Sequence, residues 1–199
     1  MKKFLVLAVA AMMATMSLSA QNGYDTKHEV SISYGFLSNS QWLNVATIAT
    51  NIYSGYEPVK STNIGPLSAE YFYHINNWLG VGAIFSYGRV STKYISQVDF
   101  SEAYTNINSS YSLMPAVKFN WLRLAHFGMY SKIGVGALLF DVKAVPADPA
   151  EQTEKALGVS YNFQVSPLGI EFGGEQFRGF IEGGIGEQGV VLAGLRYKF

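Results

Sequence analysis

Val190-Val191-Leu192-Ala193-Gly194-Leu195-Arg196-Tyr197-Lys198-Phe199 ends the chain, and the alternation within it decides the fold. Taken with period two, Val191, Ala193, Leu195, Tyr197 and Phe199 share one face. Val190, Leu192, Gly194, Arg196 and Lys198 share the other. This is a strand with a wholly apolar face and a face that becomes cationic toward its end. A soluble chain gains little by finishing in this way.

Working back from the terminus, the same alternation recurs. Thr26 to Leu37 sets Val30, Ile32, Tyr34 and Phe36 against Glu29, Ser31, Ser33 and Gly35. Ile64 to Ile75, Trp78 to Val90, Ser109 to Leu122, Phe127 to Val142, Gly158 to Phe172 and Phe177 to Gly186 follow the same plan, which makes eight strands with the terminal one. The phase slips near Pro167, where a bulge would let Leu168, Ile170 and Phe172 continue the apolar face. Long connections follow the first, third and fifth strands (38–62, 91–108 and 143–157), and short ones follow the second, fourth and sixth. Within the first long connection, Gln41 to Tyr53 carries a helical pattern. Trp42, Val45, Ala46, Ala49 and Tyr53 fall on one side and Asn44, Thr47 and Asn51 on another, which predicts a short helix folded over the rim.

The terminal stretch resembles the C-terminal signal of outer-membrane β-barrel proteins, carried here by Leu195, Tyr197 and Phe199. With the alternating strands, it makes the mature chain similar to small outer-membrane barrels of the OmpA/OmpX type. The resemblance implies an all-β, eight-stranded antiparallel up-and-down transmembrane barrel spanning residues 21–199. It also implies insertion by the barrel-assembly machinery, outer-membrane lipid as surroundings, and both termini in the periplasm of a Gram-negative bacterium. The N-terminus reads as a secretory leader over residues 1–20. Lys2 and Lys3 precede an apolar run from Phe4 to Met13, and small residues lead to a cleavage site. Cleavage after Ala20 makes Gln21 the first mature residue, although cleavage after Ser19, with Ser17 rather than Leu18 at the third position back, is the closer fit to the small-residue rule.

Composition narrows the function. There is no Cys, so a lipoprotein anchor, disulfides and thiolate metal sites are excluded. Without the two leader lysines, 12 basic side chains face 14 acidic ones, and nothing points to nucleic acid. Closed strands satisfy every backbone group, which lipid cannot do for an open edge. On these registers Glu70, Lys118, Lys132, Glu171, Arg178, Glu182 and Arg196 all fall opposite the aromatic face. A Lys or Arg facing lipid at the midplane costs about 2–4 kcal/mol, so these seven are expected to form a charge network in the lumen. Eight strands leave an interior that side chains can fill. The sequence therefore predicts a packed, salt-bridged lumen and a structural or surface-interaction role for the long loops, with an extracellular partner that the sequence does not name. A narrow, porin-like diffusion pore is the alternative.

An enzymatic role is less favoured. Outer-membrane deacylases use a His-x-Ser motif, but His28, His74 and His126 are followed by Glu29-Val30, Ile75-Asn76 and Phe127-Gly128. No catalytic, cofactor or metal residues are assigned, and the chain is expected to be a monomer.

Overall fold

The computed structural model describes residues 26–98, 101–148 and 150–199. The leader at residues 1–20 and the cleavage position at Ala20 and Gln21 lie outside them. The strands are β1 (His28–Phe36), β2 (Tyr56–His74), β3 (Leu79–Ser96), β4 (Glu102–Arg123), β5 (Phe127–Pro146), β6 (Glu154–Gly173), β7 (Phe177–Gly186) and β8 (Val191–Lys198). One helix, α1 (Asn39–Tyr53), lies between β1 and β2.

Each strand pairs antiparallel with its neighbours in sequence, and β8 returns to β1, so the sheet is a closed eight-stranded barrel. The terminal stretch is the closing strand. Val30 faces Tyr197, Ile32 faces Leu195 and Tyr34 faces Ala193 across the seam. Just beyond this ladder, backbone bonds of 2.8 and 2.9 Å join His28 and Phe199 in both directions. Alternation then sorts the side chains. On β1, Val30, Ile32, Tyr34 and Phe36 point outward and stay 40–60% exposed, while Glu29, Ser31 and Ser33 are buried inside. The slip at Pro167 is a register shift, between Val165 and Leu168 against β7 and between Tyr130 and Lys132 against β5.

Two of the stretches read as long loops are mostly strand. β3 and β4 stay paired up to Tyr94↔Tyr104 and Ile95↔Glu102, and β5 and β6 up to Ala144↔Glu154. The first connection holds α1 and then the paired start of β2, Tyr56↔Ser96 onward. On β3 the inward face stays buried at Val90, Thr92 and Tyr94 while the outward face turns polar at Ser91 and Lys93, so the apolar-outward signal fades although the ladder continues.

The wall is therefore uneven. The β1–β2 ladder ends at Tyr34↔Leu67, and the β6–β7 ladder ends at Gln164↔Gly186. Beyond those points β2 to β6 continue as an open five-stranded sheet that projects above a low wall of β7, β8 and β1.

Candidate functional site

The barrel interior gathers the charged side chains of seven strands. All seven residues of the predicted network point into it and are at most 4% exposed. Lys118 and Lys132 are directly opposed across β4 and β5, and Arg178 and Arg196 across β7 and β8. Like charges in such positions repel, so each pair requires carboxylates from elsewhere in the cylinder. Lys132 Nζ lies 2.5 Å from Glu70 and 2.8 Å from Glu182. Arg178 reaches Glu171 at 2.7 Å, and Arg196 reaches the other oxygen of Glu171 at 2.5 Å.

Two more residues complete this arrangement. Glu29, on β1, receives Lys118 at 2.7 Å and Arg196 Nε at 2.8 Å. Lys198, on β8, pairs with Glu171. Both are fully or almost fully buried, and with them five cations face four carboxylates.

Aromatic side chains fill the space between the ions. The Tyr130 hydroxyl donates to Glu182 at 2.6 Å and accepts from Arg196 at 3.0 Å. Lys118 Nζ lies 3.9 Å from the centre of the Tyr130 ring, and the Arg196 guanidinium stacks at 4.2 Å over Phe180. Gly128 and Gly169 sit where a Cβ would meet the Glu171 carboxylate at 2.7 Å and the Tyr130 ring at 2.4 Å. Phe72, Ile84, Met114 and Ala116 form a buried apolar cluster beside the ions. This interior is packed with side chains and charge-assisted hydrogen bonds.

At the end opposite the termini, α1 lies over the mouth. Ser38 caps it in a reciprocal box: its hydroxyl accepts from Gln41 N at 3.3 Å, and its own N–H donates to the Gln41 side chain at 3.1 Å. The first turn faces Glu187 in the β7–β8 connection, which accepts from Ser40 N at 3.2 Å and Ser40 Oγ at 2.8 Å. Burial raises the Glu187 carboxyl above the usual carboxylate range, against the opposing pull of its bonds from Ser40. The buried residues of α1 are polar, Ser40 and Asn44. Its apolar residues face out, with Trp42 56% and Leu43 60% exposed. The lumen beneath is polar and takes the polar side of the helix.

The histidines divide in two. His28 stacks on Phe199 at the seam, with ring centres 5.3 Å apart, and His126 bonds to the Gly173 carbonyl. His74 is inside, 3.2 Å from Glu29. Among the described residues, no group of three or more His, Asp or Glu is placed to hold a metal ion.

An outward belt of Ile, Leu, Val, Tyr and Phe around a cylinder of paired ions inverts the order of a water-soluble protein. The fold is that of a small outer-membrane β-barrel. No protein-family model matches the chain, and no curated protein does. Among solved structures it is similar to Ail, the attachment invasion locus protein of Yersinia pestis, in a crystal structure with the heparin analogue sucrose octasulfate. That likeness has 19% identity, covers 87% of this chain and 99% of that one, and has a TM-score of 0.48. A second crystal structure of Ail matches at 15% identity, covering 88% and 100% of the two chains, with a TM-score of 0.46.

Proposed function

We propose that the protein is an integral barrel of the Gram-negative outer membrane. In this reading its interior charge network is structural, and its projecting sheet is an extracellular interaction surface. Both termini then lie in the periplasm, Leu195, Tyr197 and Phe199 serve as the insertion signal, and residues 1–20 direct export.

The observation that carries this reading is the free upper edge of β6. The Phe163 carbonyl is the last β6 group bonded toward β7, accepting from Glu187 N at 3.0 Å. Tyr161, Val159 and Leu157 follow at alternate positions, so their backbone groups point to the same open side. Their side chains are 96%, 70% and 71% exposed. An exposed edge of this kind templates an added strand, and main-chain bonds with pockets at alternate residues are one common way to recognise an extended peptide. The partner proposed is accordingly an extended segment of an extracellular protein.

A proline at Val159 tests it, because it removes an N–H on the open side without touching the ladder to β5. Cells carrying Val159→Pro should insert the barrel normally and lose whatever surface attachment the wild-type protein confers. Attachment equal to wild type would overturn the reading.

A further inference from the structure

Above the low wall, between α1 and β6, lies a groove of about 750 Å³. Trp42 and Leu43 of α1 form one side, and Leu138 and Phe140, on the inward face of β5, form the back. Gly158 admits the Phe140 ring, since a Cβ there would meet it at 2.2 Å. A bond of 3.3 Å from Asn39 Nδ2 to Asn162 Oδ1 closes the floor. Tyr161 and Phe163 also line the groove, and Phe163 continues the outward row of Val165 and Phe172 on the same strand.

We propose that this groove takes an acyl chain of a lipid from the leaflet at the projecting end. The first argument is continuity: Phe163 lines the groove and also stands in the outward apolar row of the barrel. The second is the treatment of the strand edge where groove and belt meet. Backbone groups facing hydrocarbon must be satisfied from within the protein. Here Asn162 Oδ1 accepts from Phe163 N at 2.8 Å, and Ser160 Oγ donates to the Tyr161 carbonyl at 3.3 Å. Side chains of β6 thus satisfy the lowest stretch of its own open edge, and the edge presents itself bare only higher up. A water-filled notch needs no such caps, and an added peptide strand would compete with them. The volume lies within the range of small-molecule clefts and suits one chain rather than a whole lipid.

The inference rests on the barrel lying in a bilayer, and one experiment reads the two separately. The full-length mature protein is reconstituted in phosphatidylcholine vesicles containing a phospholipid with a diazirine in its acyl chain, irradiated, and mapped by mass spectrometry. Labelling of Ile32, Ile181 and Leu195 reports the belt and hence bilayer insertion. Labelling of Leu138 and Phe140, which point inward, reports the groove. The expected result is label at both sets, with a severalfold loss at Phe140 in Leu138→Trp, which fills the groove from behind, and no change on the belt. Label on the belt alone would overturn the groove as a lipid site while leaving the membrane barrel intact. Equal Phe140 labelling in wild type and Leu138→Trp would overturn it too.

Discussion

Glu171 is held by Arg178, Arg196 and Lys198 together. Removing one partner from a buried ionic cluster leaves the others desolvated and uncompensated, at a cost on the order of 3–5 kcal/mol. Glu171→Gln keeps the shape and removes the charge, so it should lower the urea midpoint of the barrel in phospholipid vesicles by a comparable free energy. An unchanged midpoint would show that the interior tolerates the unpaired cations. At this scale the sequence was legible wherever a charge sat in mid-strand, because period-two counting separates Glu70, Lys118, Lys132, Glu171, Arg178, Glu182 and Arg196 from the lipid side. Glu29 and Lys198 escaped the list although the same counting puts both inside. They stand at strand ends, where a charge is ordinarily free to reach water, and only the closed seam buries them. His74 escaped for the same reason, since its link to Glu29 is a contact between β1 and β2 that no local pattern encodes.

At the scale of elements, α1 is held over the mouth by a carboxylate that its own burial disfavours. Glu187 has its pKa raised in the folded protein by desolvation, opposed by hydrogen bonds from Ser40. A carboxyl raised in this way contributes stability that is fully present below the ordinary carboxylate range and is lost as pH rises through the raised value. Opening of the first turn of α1 should therefore increase across that interval. Hydrogen exchange at Ser40 and Gln41, corrected for the intrinsic pH dependence of exchange, measures it, and Glu187→Gln should flatten the profile. A wild-type profile as flat as that of the variant would count against the latch. The helix itself was visible from its 3.6-residue pattern, but its orientation was not: burial of Ser40 and Asn44 depends on a polar lumen beneath, a tertiary fact. The upper halves of β3 to β6 were hidden differently. Ser91 to Asn108 is polar throughout much of its length, and there the outward face carries Ser91 and Lys93 while Thr92 and Tyr94 are buried on the other, so the apolar-outward alternation of the wall strands is lost.

For the whole molecule, the interior decides between a plug and a channel. Tyr130, Phe72 and Phe180 are at most 2% exposed and lie among the buried Lys and Arg side chains. Purified protein in planar bilayers should give no stable conductance steps, and steady single-channel currents would restore the pore reading. The barrel as a fold was legible from one end of the chain to the other, because hydrocarbon outside and ions inside leave a period-two signature in every wall strand. The seam has a further consequence for assembly. Arg196 and Lys198 arrive on β8, the strand that closes the ring against β1, and they neutralise carboxylates supplied by β1 and β6. Until that strand docks, Glu29 and Glu171 lack these counter-charges and the sheet keeps two raw edges. A ring left open at this seam is thus penalised twice, so closure acts as a proofreading step on the strand order.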